Sequence, residues 1–304
     1  MLKKHLIAAG VALAAVVAAR SANAELIYGL NGSGTNIFSF DSTNTGKIIS
    51  GKFITGMAAN EQMLTIDARP STGGIYAVGS FGNLYTLNPG TGAATLVAPI
   101  TGASVDGTNF GSDFNPLSSG FSASGDTLQF SSDTGVNWRI NPVTGVATVQ
   151  STLAFGAGDA HAGGNVNLVG LAYTNNFTGA TTTQLFGIDS GFDALVSLAT
   201  PSSGSITTIG ALGINATDLA GFDISGSSGT AYAALQTTTS GISNLYTINL
   251  TTGTATLVGQ IGGGLLVRDI TVIPGGGAGV PEPASLGLLA IGAAAMFTRR
   301  RRKV

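Results

Sequence analysis

Four aspartates, Asp67, Asp113, Asp223 and Asp269, stand at related places in a chain that repeats itself. Each falls at or near the end of the first strand of a repeated unit. Carboxylates that converge can do two kinds of chemistry. They can hold calcium, which takes oxygen ligands in flexible geometry. As a pair across a glycosidic bond they can act as acid and base. A carboxylate that recurs once per unit has a plainer use, which is to accept hydrogen bonds from backbone amides at a turn. Repetition favours that structural use. No catalytic residue and no metal ligand is therefore expected, with calcium as the alternative cofactor, and a chelator is expected to leave the melting temperature unchanged.

Other residues with chemical potential read more simply. Asp41-Ser42-Thr43-Asn44-Thr45-Gly46 has the outline of a calcium loop, but Lys52 occupies the place of the bidentate glutamate. It reads as a turn. His161 is the only histidine after the N-terminal segment and lies among small residues, Gly156–Gly164. One histidine without cysteine makes no zinc site, and no Gly-x-Ser-x-Gly elbow flanks a serine. Gly32-x-Gly34 and Gly156-x-Gly158 lack the third glycine and helix of a dinucleotide site. Tyr28, Phe38, Tyr76, Tyr85, Trp138, Phe186, Tyr232 and Tyr246 fall at repeat positions and read as core packing rather than sugar-stacking platforms.

Charge and composition narrow the partners. Between Glu25 and Val280 there are five basic residues, Lys47, Lys52, Arg69, Arg139 and Arg268, against fourteen acidic ones, a balance of −9. Such a surface has no stripe for phosphate backbones, which argues against nucleic acid. Cysteine is absent, which excludes thiol nucleophiles, thiolate metal sites and disulfides. The fold must therefore rest on an apolar core, and a chain of this length can bury one.

The elements that position the aspartates are short strands in a repeat. Asn36–Asp41 runs into Thr45-Gly46, Asn83–Asn88 into Thr91-Gly92, Asn137–Asn141 into Thr144-Gly145 and Asn244–Asn249 into Thr252-Gly253. A weaker copy is Ala194–Leu198 running into Ser203-Gly204. The glycines are 46, 53, 59 and 49 residues apart, a period typical of solenoids, propellers or arrays. Pro89 and Pro142 preset φ in the turns, and the glycine takes φ > 0. A strand follows each turn, as in Ala93–Val97, Val146–Val149 and Ala255–Val258, and two precede each copy, as with Met63–Asp67 and Ile75–Gly79. Four strands per unit and five units predict an all-β, five-bladed propeller of antiparallel sheets. The first unit, Leu26–Phe53, has only three strands, and Leu266–Ile273 has no unit of its own. Pairing the two closes the ring and removes two exposed edges.

The two ends carry targeting chemistry. Lys3 and Lys4 precede an apolar run, Leu6–Ala19, and Ala22-Asn23-Ala24 is an Ala-x-Ala site, so signal peptidase is expected to leave Glu25 as the first residue. At the other end, Gly275–Gly279 reads as a linker, and Pro281-Glu282-Pro283 opens the tail. The apolar run Ala284–Phe297 follows, and then Arg299, Arg300, Arg301, Arg302 and Lys303. Fourteen apolar residues at ~1.5 Å each reach ~21 Å, short of the ~30 Å hydrocarbon core. Such a run suits a temporary anchor with its arginines on the cytoplasmic side. All three parts resemble, in order, the PEP-CTERM sorting signal of exported bacterial proteins. The resemblance implies processing by an exosortase-type membrane protease and delivery to the envelope or the exterior.

The body has a resemblance too. Thr65–Pro70, Ile75–Val78, Asp113–Pro116, Ser132–Gly135, Arg139–Pro142, Ala172–Asn175 and Gly221–Ile224 resemble a secreted bacterial family known only as domain of unknown function 4394. That family often carries a charged Asp-Arg-Leu-Arg stretch after the Asn-Pro pair, which Leu117–Phe130 lacks. The resemblance implies a fold and no activity. The expected function is therefore that of an exported, non-enzymatic binding or structural protein of the exopolysaccharide or biofilm matrix, with extracellular polysaccharide as partner. The alternative is a propeller glycan hydrolase or lyase using the channel aspartates. Scarcity of glutamate, with only Glu25 and Glu61 ahead of the tail, favours the first.

Overall fold

The computed structural model describes residues 24–117 and 126–273. The signal-peptide run, the glycine linker, Pro281–Pro283 and Arg299–Arg302 lie outside the described residues, as does the middle of Leu117–Phe130. Among the described residues the chain is built of strands, with one 3-10 turn at Pro201–Ser203.

The strands form five sheets, each made almost entirely from one stretch of sequence. The first contains β1 (Leu26–Asn31), β2 (Asn36–Asp41) and β3 (Asn44–Phe53). The second contains β4 (Met63–Ala68), β5 (Ile75–Gly79), β6 (Asn83–Leu87) and β7 (Ala94–Pro99). The third contains β8 (Phe110–Asn115), β9 (Thr127–Ser132), β10 (Asn137–Ile140) and β11 (Ala147–Val149). A two-residue strand, β12 (Ala154–Phe155), precedes the fourth, β13 (Leu168–Tyr173), β14 (Leu185–Asp189), β15 (Ala194–Leu198) and β16 (Ser205–Ala211). The fifth contains β17 (Ala216–Ile224), β18 (Ala231–Thr237), β19 (Ser243–Ile248) and β20 (Ala255–Gln260). The last strand, β21 (Val267–Val272), returns to the first sheet. There it pairs antiparallel with β1, Ile27 opposite Val272 and Gly29 opposite Ile270. The predicted closure is thus present. The fourth sheet departs from four strands, because β12 adds to β16 in parallel.

The innermost strands, β21, β4, β8, β13 and β17, form a ring in which each touches the next. Residues of β4, β5, β9, β13 and β14 are buried throughout. The outermost strands β3, β7, β11 and β20 are largely exposed. Burial on both faces follows from where the core sits. Among the described residues most apolar clusters lie between consecutive blades, and one lies within the fourth. Tyr76 and Val78 of the second blade pack with Phe114, Phe130 and Trp138 of the third. Val169 and Ile188 of the fourth meet Phe222 and Leu235 of the fifth. Tyr232 and Leu245 of the fifth meet Ile27, Phe40 and Ile270 of the first. The repeated aromatics are core packing, as expected, with Tyr28 partly buried and the others buried.

Blades approach most closely at glycines of the inner ring. An ideal Cβ on Gly221 would stand 2.5 Å from the Ile270 nitrogen and 2.6 Å from Asp269 Cα. At the repeat turns, Gly92, Gly145 and Gly253 take φ of 79°, 70° and 82°. Asn88, Asn141 and Asn249 each accept two amides within these turns, those of Gly90 and Thr91, Val143 and Thr144, and Thr251 and Thr252. Gly46 is a correction to that pattern. It lies inside β3, because Asp41 accepts the amide and hydroxyl of Thr43 and closes the turn before the glycine is reached. The weak copy also differs: the 3-10 turn at Pro201–Ser203 carries β15 into β16, ending on Gly204 at φ 69°.

Candidate functional site: the aspartates of the channel

An innermost strand pairs with its own blade on one side only. Its other edge carries buried amides that need acceptors. Three of the four aspartates supply acceptors. Asp67 Oδ2 on β4 accepts the amide of Phe114 on β8 at 2.7 Å. Asp113 Oδ1 on β8 accepts instead from the side-chain amide of Asn176, between β13 and β14, at 3.3 Å. Asp223 Oδ2 on β17 accepts the amide of Val272 on β21 at 2.5 Å. Asp269 Oδ2 on β21 accepts the amide of Ile66 on β4 at 2.9 Å, and its Oδ1 accepts the next amide, Ile270, at 2.9 Å. Each carboxylate therefore ties its own blade to the following one. Asp67, Asp223 and Asp269 accept backbone amides across to the next blade, where a turn was expected. The partners belong to the neighbouring inner strand rather than to a turn of the same blade, because the ring brings adjacent inner strands within reach of a two-carbon side chain. The fourth blade breaks the series, with Ala172 near the end of its innermost strand and no aspartate there.

The four carboxylates are almost wholly buried, at 0 to 3% exposure. Three of them converge further. Asp67, Asp113 and Asp223 each place one carboxylate oxygen within 4.8 Å of the others. Burial, and then the charge of Asp223, holds the Asp67 carboxyl well above the usual carboxylate range. Burial, followed by the charges of Asp67, Asp223 and Asp269, does the same to Asp113. Burial pushes Asp223 up to about 6 against the pull of the Val272 and Ile224 amides. Asp269 is raised by burial despite two amide bonds. The Thr271 hydroxyl donates to Asp67 Oδ1 at 3.0 Å, and Asn176 Nδ2 donates to Asp113 Oδ1 at 3.3 Å. Neither was singled out from sequence. Thr271 had a signal, lying two residues after Asp269 on the same strand face; Asn176 had none.

A second polar cluster closes one end of β4. Arg69 Nε and Nη2 donate to Asp126 Oδ1 at 2.9 and 2.7 Å, and Nη1 donates to the Tyr76 hydroxyl at 3.1 Å. Both members of this ion pair are buried. It was invisible in the sequence, where the partners lie in different units.

The glutamates serve the frame. Glu61 accepts the Tyr85 hydroxyl at 2.6 Å, the Phe81 amide at 3.1 Å and both bonds from Asn83. Glu25 accepts hydroxyls of Ser225, Ser227 and Ser228, and its own nitrogen donates to Ser42 Oγ at 3.0 Å. Ala24, the other residue of the expected cleavage site, is partly buried. His161 stacks on Phe192 with centroids 4.1 Å apart and meets Thr208 Oγ1 at 3.0 Å. It is a packed loop residue, as its surroundings suggested. The Asp41 segment is a turn.

The family model of domain of unknown function DUF4394 matches residues 36–271, from β2 to β21. The chain belongs to the DUF4394 family. A second model, the PEP-CTERM protein-sorting motif, matches residues 279–303 of this DUF4394 protein. The chain therefore carries a signal for export by way of transient C-terminal membrane anchoring, ahead of release to the envelope or the exterior. No helix among the described residues is long and apolar enough to cross a membrane. No curated protein matches. Among solved structures, one from a nidogen/laminin complex is similar at TM-score 0.46 and 11% identity, over 82% of this chain and 98% of that one. An auxiliary nutrient binding protein from Bacteroides ovatus is similar at TM-score 0.38 and 15% identity, over 60% of this chain and 46% of that one.

Proposed function

We propose that this DUF4394 protein is an exported, exosortase-processed component of the extracellular matrix, without catalytic activity, acting as a binding or structural propeller. One observation carries the reading. Among the described residues, the four aspartate carboxylates of the channel are 0 to 3% exposed, and each accepts a hydrogen bond from the neighbouring blade. A general acid or base must come within hydrogen-bond reach of the substrate, and groups sealed between blades do not. The two glutamates are likewise buried in bonds to the frame. The partner we expect is an extracellular polysaccharide, met on the outer surface, where Phe53 and Phe81 stand exposed. Signal peptidase cleavage after Ala24 fits the same reading. Glu25 is already fixed to Ser42 and to the Ser225–Ser228 turn, so the frame starts where the leader is expected to end.

The test is a glycan-array binding screen on the secreted protein, with reducing-end and unsaturated products followed in parallel. Binding without turnover is the expected result. Turnover that Asp67→Asn or Asp223→Asn abolishes would overturn it in favour of a glycanase.

A further inference from the structure

We propose that the channel is a binding site for one divalent cation of calcium type, ligated by the carboxylates of Asp67, Asp113 and Asp223. Three inner strands, β4, β8 and β17, bring these groups together, and their oxygens lie within 4.8 Å of one another. Three protein carboxylates in a buried site suit calcium, which takes many protein oxygens in flexible geometry, better than magnesium, which keeps several of its waters. The donors are all hard oxygens, and neither histidine nor cysteine joins them, which points away from zinc and copper.

The second observation concerns atoms rather than charges. Asp113 Oδ2 and Asp223 Oδ1 are buried and have no hydrogen-bond partner in the protein. The Asn176 Oδ1, on a side chain that touches Asp113, has none either. Asn176 is 2% exposed. Three carboxylates this close repel, and only protons or a cation relieve that. A proton shared between two of the carboxylates relieves only that pair. A cation offsets all three charges and gives both unpartnered oxygens a partner. Asp67 Oδ2 and Oδ1 already accept one bond each, and a carboxylate has lone pairs to spare for a metal. The cation would thereby cross-link the second, third and fifth blades at the axis. This reverses the sequence-based expectation that a chelator has no effect.

The experiment uses the secreted protein, purified without chelator, and reads metal content by mass spectrometry together with thermal melting. About one equivalent of calcium per chain is expected. Stripping with EDTA should lower the melting temperature, and CaCl2 at ~100 times its dissociation constant should restore ~5–10 °C. MgCl2 at the same concentration should restore less. Asp113→Asn and Asp223→Asn should weaken calcium binding at least tenfold and flatten the melting response, whereas Asp269→Asn, outside the group of three, should keep it. Should the two Asn variants fail to fold, metal content and the calcium response of the wild type decide alone. Absence of bound metal together with no melting response to CaCl2 would overturn the proposal. So would calcium binding that both Asn variants leave intact, the mark of an adventitious surface cation. None of these readouts involves glycan turnover, so the site and the non-enzymatic reading fail or stand separately.

Discussion

Gly221→Ala tests the idea that the blades lock through close backbone contact at the axis. The added methyl would meet Ile270 N at 2.5 Å, Asp269 Cα at 2.6 Å and Asp269 C at 2.7 Å, all main-chain atoms of the closing strand. Ordinary contact begins near 3.4 Å, so β21 must retreat by almost 1 Å. It has little room. β1 pairs it from one side, and Asp269 ties it to Ile66 on β4. Overpacking of this kind costs about 1–3 kcal/mol, and a loosened amide–carboxylate bond adds about 1 kcal/mol. At roughly 2–4 °C per kcal/mol for a domain of this size, the expected loss is ~4–16 °C. The control is Gly51→Ala on exposed β3, where the added carbon meets nothing within 4 Å and φ is ordinary. There the change should be neutral or stabilising by up to ~1 kcal/mol. Both variants are melted by circular dichroism in the same buffer. A Gly221→Ala melt within 1 °C of the control would refute the tight axial packing.

Two further outcomes follow from the same geometry and from the tail. Asp126→Ala leaves the buried Arg69 guanidinium without its carboxylate, which should cost about 3–5 kcal/mol. The double change Arg69→Met with Asp126→Leu should recover most of that loss in denaturant titration, and failure to recover any would show that the pair is not the source. Intact mass of the protein released by the native host should lack Arg299–Lys303 and begin at Glu25; a released form that retains the basic cluster would contradict exosortase processing.

Much of the frame was legible because its signals are local. Asn83–Asn88 and Asn244–Asn249, each leading to a Thr-Gly pair, mark third strands and their turns without tertiary knowledge. Leu266–Ile273 was legible as the closing strand because it was the piece left over after counting four strands per unit. What escaped depends on where the ring brings strands together. Asp67 and Phe114 are separated by 47 residues, and Asp269 and Ile66 by 203. Their pairing exists only because inner strands of neighbouring blades lie side by side. For the same reason sequence located the aspartates and gave their hydrogen bonds to the wrong amides. Arg69 and Asp126, and the orphaned oxygen of Asn176, have no periodic signal at all. Gly46 misled because it shares the Thr-Gly pair of the other turns, while Asp41 closes that turn two residues earlier.

The central claim is that the channel carboxylates hold blades together rather than act on a substrate, and Asp269→Ala tests it most directly. Asp269 accepts two buried amides, Ile66 and Ile270, and lies outside the group of three placed for a cation. Removing it orphans both donors, at about 1–3 kcal/mol each. Melting of the secreted variant should therefore fall by at least several degrees, by the same amount in EDTA and in CaCl2, with glycan binding unchanged at temperatures where it is folded. A melting temperature equal to the wild type, or a folded variant that has lost a measurable turnover, would contradict the account.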